Sequence, residues 1–399
     1  MYFLLGLALW SQDSYGDVLD NLVAGVPELA GAGVDKSSLA NARVRLGEPA
    51  VAAVFRAVAA DPVAGPDTPG ACWAGRLVLA VDSFTVDVQD TPGNRQGFGG
   101  PTGGTKALRD LGYPQARVLT LAECGSHGLR AAAIGGYLTG ERELAEQVLD
   151  RIDGRHVVLF DAGFPSVDLI RKLNATGAAW VMRADRRLGH RDVQPLPDGG
   201  ATATLVASGH SKCVDCEHRV RVRVIDYHLG GRPIRLLTGL LDPAEAPAGQ
   251  IAALYGERWQ TEHANREIKT IQQGNGYVLR SGSPELVRQE IWAHLTLHVL
   301  LNRLAVDLAD DNHTDPDRIS FIKVLKHARR TVIAQITGIA ETLATDLRRW
   351  LNPARPARRS DRTIKRTKKR YNRRNTPTGT KPVTTRIPPR SPTLITITS

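Results

Sequence analysis

The chain is poor in cysteine. Four residues in 399, Cys72, Cys124, Cys213 and Cys216, cannot staple a protein of this size. That excludes a disulfide-rich secreted scaffold and fits a reduced, cytoplasmic setting. Cys213-Val-Asp-Cys216, with His210 or His218 nearby, has the start of a zinc site. It lacks a second ligand pair at finger spacing, and a polar turn between strands is the other reading. Long apolar runs are also missing. Met1 to Trp10 is apolar but too short to span a bilayer, and no basic leader accompanies it. No membrane partner is expected, and there is no internal repeat. Net positive charge is absent from most of the chain. The formal net charge is +11, but residues 355–374 alone carry 11 Lys/Arg and one Asp, and residues 375–399 add three more basic groups. Residues 1–354 are left with a net charge of −2, so anion binding there must rely on local patches.

What is present divides into parts. Length allows two or three domains, or one large domain with insertions, and a hydrophobic content of 42% suffices for a core. Residues 1–60 read as helices, at 2–10, 15–23, 37–46 and 49–59. They suit either a small helical DNA-binding domain or a plain helical packing unit. A Pro/Gly-rich linker spans 61–75. Residues 76–350 read as an α/β domain. Strand-like stretches are expected at 76–88 (as a strand pair or hairpin), 115–124, 156–161 and 179–183. Helices are expected at 129–133 and 141–152, then at 248–272, 284–309 and 318–347. Residues 201–241 are strand-like, including 219–227 and 232–240. Residues 351–399, with Arg358, Arg359, Lys365, Arg366, Lys368, Lys369 and Arg370, should be disordered when free.

The run Leu254 to Lys269 carries the sharpest signal. Tyr255, Arg258, Glu262 and Lys269 stand at offsets 0, +3, +7 and +14. At about 100° per residue they fall on one helix stripe, where a buried face would hold apolar groups. A carboxylate can hold a metal ion, and Arg and Lys can hold phosphate oxygens. Two further acids, Asp82 and Asp161, each end an apolar β-type run, Val78-Leu-Ala-Val81 and Val157-Val-Leu-Phe160. Side chains at such points leave the core and meet solvent. Three gathered carboxylates repel one another until divalent cations neutralise them, and oxygen ligation suits Mg²⁺ or Mn²⁺. Asp87, Asp90 and Asp153 are neighbours that could be mistaken for the ligands.

This spacing resembles the Y-(2)-R-(3)-E-(6)-K signature of bacterial DDE transposases of the insertion sequence 4 family. Val78-Leu-Ala-Val-Asp82 looks like that family's first catalytic strand. Val157-Val-Leu-Phe-Asp161-Ala-Gly-Phe164 looks like the second, although Ala162 stands where the family often has Arg. The resemblance implies an RNase H-like core with a β-rich insertion at about 185–245 and a small helical domain ahead of it. It also implies catalysis by Asp82, Asp161 and Glu262 on two metal ions, and a homodimer on double-stranded DNA. Tyr255, Arg258, Lys269 and Arg266 would contact DNA. Trp259 or Trp180 would stack on a flipped base, or else pack in the core. Glu123-Cys-Gly-Ser-His127 matches a family segment and receives no chemical role. In similar proteins sequence precedes the first helix, so part of the end-recognition domain is expected to be missing. Three rivals remain: a catalytically silent DNA-binding relative, a metal-dependent nuclease of the same fold, and a carbohydrate hydrolase with paired carboxylates. The last has no use for the Arg/Lys stripe.

Overall fold

The computed structural model describes residues 1–25, 36–101, 112–185, 190–207, 218–229, 231–334, 351 and 395–397. His210, Cys213, Cys216 and the basic tail from Arg358 to Arg370 lie outside them. Three helices open the chain, α1 (Tyr2–Leu9), α2 (Tyr15–Gly25) and α3 (Lys36–Val58). α3 is two pieces divided at Gly47, whose φ of 71° and ψ of 160° leave helical space just before Pro49. There follow β1 (Cys72–Trp73), β2 (Arg76–Val88), α4 (Pro92–Phe98), β3 (Gln115–Glu123), β4 (Leu129–Gly136), α5 (Glu141–Glu146), β5 (His156–Phe160), α6 (Val167–Thr176) and β6 (Ala179–Ala184). Next come β7 (His190–Pro195), β8 (Ala201–Val206), β9 (Arg219–Leu229), β10 (Arg232–Thr238), α7 (Ala248–Tyr255), α8 (Trp259–Arg266), β11 (Val278–Leu279), α9 (Pro284–Asp311), α10 (Phe321–Ile333) and β12 (Ile395–Ile397).

The fold is mixed α/β around one large sheet of order β4-β3-β2-β5-β6-β10-β9-β8-β7. β2, β3 and β4 are antiparallel neighbours, while β5 and β6 run parallel to β2. β10 returns antiparallel to β6, so the block at 185–245 extends the same sheet. All five residues of β5 are buried, as suits a central parallel strand covered on both faces. Leu79, Val81, Val158 and Phe160 point to one core with α6, and Val78, Ala80, Val157 and Leu159 to another with α7. The opening helices, α9 and the far half of β2 share a third core. Among the described residues no helix is long and apolar enough to cross a membrane.

Several sequence expectations change. Leu129 to Ala133 is strand, not helix. Its alanines favour helix locally, but pairing with β3 and an alternating burial pattern override that preference. Residues 76–88 form one 13-residue strand rather than a hairpin. The helix expected at 141–152 is α5 followed by a 3₁₀ turn at Leu149–Arg151.

The helical run through α7 and α8 is uneven. It tightens to a 3₁₀ turn at Gly256–Arg258 and widens to a π-helix at Glu267–Gln272. The π segment is gripped from two sides. Glu267 Oε1 lies 3.0 Å from His127 Nδ1, in the turn after β3, and its Oε2 lies 3.1 Å from His298 Nε2 on α9. Burial pulls the His127 ring down, but the charge of Glu267 and the hydrogen bond outweigh it and raise the ring to about 9. Burial raises Glu267, and the two imidazoles outweigh that and lower it to about 2. His127 keeps this position at a φ of 59°, rare for a non-glycine residue.

The pair therefore stabilises the fold in a pH window. The His127 contribution is complete below its unfolded pKa, about 6.5, and is lost as pH rises through about 9. The Glu267 contribution is complete above about 4.5 and is lost as pH falls through about 2. Both shifts share one interaction. Wild type should exceed Glu267→Gln by roughly 2–4 kcal/mol between about pH 5 and 6.5, an excess that shrinks towards pH 9.5. Urea unfolding across that range measures it. A difference that does not vary with pH would sink the assignment of a charged pair.

Candidate active site

The sheet register places the first two carboxylates. β2 and β5 pair in parallel from Leu77↔His156 to Val81↔Phe160, and there β5 ends. Asp82 and Asp161 are the next residues on the two chains, on strands about 4.8 Å apart. Asp82 does not end its strand, because β2 runs on for six residues. It is uncovered because its parallel neighbour stops. Both acids follow the face that carries Val78, Ala80, Val157 and Leu159, where α7 packs.

That packing brings in the third acid. Tyr255 is 7% exposed, and its hydroxyl donates to the Phe160 carbonyl at 3.3 Å, one residue before Asp161. Tyr255, read from the sequence as a DNA contact, is buried here and ties the helix to the end of β5. Arg258, 5% exposed, donates from Nη2 to Glu262 Oε1 at 3.0 Å, and the same nitrogen lies 4.0 Å from Asp161 Oδ2. Its guanidinium also lies 5.6 Å from the centre of the Trp259 ring. Its Nε has no hydrogen-bond partner among the described residues. The Arg258 side chain therefore bridges two carboxylates, where the sequence predicted a grip on phosphate.

Asp82 is set from the other side. Burial pushes its carboxyl up to about 6, with Glu262 adding to the effect, against the backbone N–H of Ser83, Arg258 and Asn265. Asn265 Nδ2 donates to Asp82 Oδ2 at 3.1 Å, and the Thr120 hydroxyl donates to Asn265 Oδ1 at 2.8 Å. Sequence reasoning missed Asn265 and Thr120. The signal for Asn265 is a polar residue one turn after Glu262.

The remaining candidates are more scattered. Arg266 is exposed and lines a cavity of about 230 Å³ with His127, His263, Glu267 and Asp317. Lys269 lies on the π segment, in a cleft of about 330 Å³ with Asp87, Gln115 and Tyr277. Asp87 is five residues beyond Asp82, about 16 Å further along the strand. A 3₁₀ turn and a π segment lie between Tyr255 and Lys269, so the helical step along the predicted stripe is uneven. Trp180 is fully buried and its N–H donates to Asn174, so it is a core residue. Trp259 is half-buried under Arg258.

Among the described residues no three His, Cys, Asp or Glu side chains lie at metal-holding separation. The donor chemistry still fits a hard cation, since Asp82, Asp161 and Glu262 offer only carboxylate oxygen around a site that already draws a positive charge.

Comparison with known proteins places the chain in a family. Residues 73–300 match the family described as "Transposase DDE domain", and residues 1–56 match "Insertion element 4 transposase N-terminal". "Transposase InsG for insertion sequence element IS4" of Escherichia coli (strain K12) is 32% identical over 282 residues, 69% of this chain and 62% of that protein. "Putative transposase InsZ" of the same organism is 30% identical over 161 residues, 40% of this chain and 53% of that protein. The matched region thus spans less than two thirds of either relative. Among solved structures, a piggyBac transposase synaptic complex with hairpin DNA overlays at a TM-score of 0.39 and 8% identity, covering 70% of this chain and 59% of that one. That overlay is too loose to carry an argument. The match over 73–300 takes in more than half of the chain, Asp82, Asp161 and Glu262 included, and the chain belongs to the DDE transposases of the insertion sequence 4 family.

Proposed function

We propose that the chain is a DNA transposase that cleaves at the terminal inverted repeats of an insertion sequence and joins the 3′-ends to target DNA. The observation that carries this is the register that sets Asp82 and Asp161 directly after the β2–β5 pairing, with Glu262 bonded to Arg258, whose guanidinium also reaches towards Asp161. The sheet order β4-β3-β2-β5-β6, three antiparallel strands followed by two parallel ones, supports an RNase H-like core. In this reading residues 1–60 bind DNA, 61–75 link, 76–350 catalyse with the 185–245 insertion, and 351–399 form a basic tail. The enzyme acts as a homodimer on double-stranded DNA in the cytoplasm.

Asp82, Asp161 and Glu262 would hold two Mg²⁺ or Mn²⁺ ions. Bound ions of this kind activate an attacking oxygen and stabilise the leaving oxygen of an in-line displacement at phosphorus. The protein's own groups prepare that site. Asn265 and the Ser83 backbone N–H favour ionised Asp82 against the cost of its burial. Tyr255 fixes the backbone entering Asp161. Arg258 supplies positive charge between Asp161 and Glu262 and stands beside the path of the scissile phosphate. Lys269 and Arg266, both exposed, meet the DNA backbone on either side, and Trp259 offers a ring edge for a base.

Cleavage of a duplex carrying the element's own ends, in Mg²⁺ or Mn²⁺, tests this. Glu262→Ala should lower cleavage by at least about a thousandfold, on the scale of losing an essential electrostatic group. Cutting that survives Glu262→Ala would remove the third ligand and the main support for the reading. End binding without cutting by wild type would favour a silent relative, and cutting without joined product from precleaved ends would favour a nuclease. The tail gives a separate measurement. If six of its charges meet phosphates, deleting residues 355–399 should flatten the log–log salt slope of DNA binding by about 5.

A further inference from the structure

One buried amide stands behind the carboxylates. Asn265 lies on α8, three residues after Glu262, and is 6% exposed. It bonds outward to Asp82 and inward to Thr120, a fully buried residue of β3. Thr120 Oγ1 also lies 3.4 Å from the Asp82 carbonyl oxygen. Asp82 and Thr120 are register partners in the β2–β3 pair, so the amide spans two adjacent strands from a helix above them.

The chemistry of the three groups fixes their roles. An ionised carboxylate is acceptor-only, so the atom facing Asp82 Oδ2 must donate. That orients Asn265, and its Oδ1 then takes the Thr120 hydroxyl proton. Thr120 is β-branched and stiff at χ1, on a strand paired on both sides. The chain of bonds therefore starts from a rigid base. It also joins the strand bearing Asp82 to the helix bearing Glu262, so one side chain sets both the tilt of the Asp82 carboxylate and the seating of α8.

We propose that Asn265, braced by Thr120, is a positioning residue that holds Asp82 in the orientation needed to take a divalent cation. This rests on the assignment of Asp82, Asp161 and Glu262 as metal-holding groups. Partners that orient a ligand commonly change metal affinity by 10- to 100-fold when removed. A residue that only joined helix to strand would change stability and leave affinity alone.

The test is Mn²⁺ binding to the full chain without DNA, followed by electron paramagnetic resonance. It compares wild type, Glu262→Ala, Asn265→Leu, Thr120→Val and Thr120→Ser, with urea unfolding of each. Asn265→Leu should weaken Mn²⁺ binding about tenfold. Thr120→Val should weaken it about threefold, the size of one net hydrogen bond, and Thr120→Ser, which keeps the hydroxyl, should stay within about twofold of wild type. If Asn265→Leu fails to fold, the Val/Ser pair at Thr120 decides. Wild-type affinity in folded Asn265→Leu and Thr120→Val, with Glu262→Ala defective, would overturn the positioning role and leave the site assignment standing. No Mn²⁺ binding by wild type would overturn both.

Discussion

Charge neutralisation around Arg258 is the constraint on which the site depends. Burying carboxylates and bringing them near one another costs free energy. The fold meets part of that cost with a buried guanidinium on the same helix as Glu262, 3.0 Å from it and 4.0 Å from Asp161. The compensation is incomplete at Asp82, where burial still holds the carboxyl near 6. Arg258 Nε carries a cost of its own, being buried without a hydrogen-bond partner among the described residues, a state that costs free energy in a low-dielectric interior.

The scaffold behind it is arranged to tolerate that imbalance. Apolar packing on both faces of β5 fixes where Asp161 emerges. The helix carrying Glu262 is held at both ends by polar contacts, Tyr255 to the Phe160 carbonyl at one end and Glu267 between His127 and His298 at the other. Such directional bonds restrict sliding and rotation of the helix more sharply than apolar contact does. The π segment follows from the same grip. It carries Glu267 between two histidines from distant elements and turns Lys269 towards Asp87.

Much of the site is written locally. Asp82 and Asp161 stand out as candidates because an apolar run stops at each, and Tyr255, Arg258 and Glu262 because their spacing lies within one short segment. What could not be found depends on pairs far apart in the chain. Nothing within ten residues of Asn265 reveals that it faces Asp82 and Thr120, 183 and 145 positions away. The strand at Leu129 was hidden by alanine, whose local preference for helix yields to pairing with β3. The stripe from Tyr255 to Lys269 assumes a uniform 100° step, and the 3₁₀ and π segments that depart from it arise from tertiary contacts that sequence periodicity does not encode.

The polar clamp and the carboxylate cluster differ in kind, although both bury ionisable groups. Glu267 is fully answered, with one imidazole on each oxygen, and burial therefore leaves it lowered to about 2. Asp82 has a helix amide and a backbone N–H against it, and burial leaves it raised to about 6. Two carboxylates joined to the same helical run are thus driven in opposite directions by the number and charge of their partners. The first arrangement is what a structural ion pair needs, since it is most stable as it stands. The second leaves attraction for a further cation, and it is found at the end of the β2–β5 pairing, where the sheet opens.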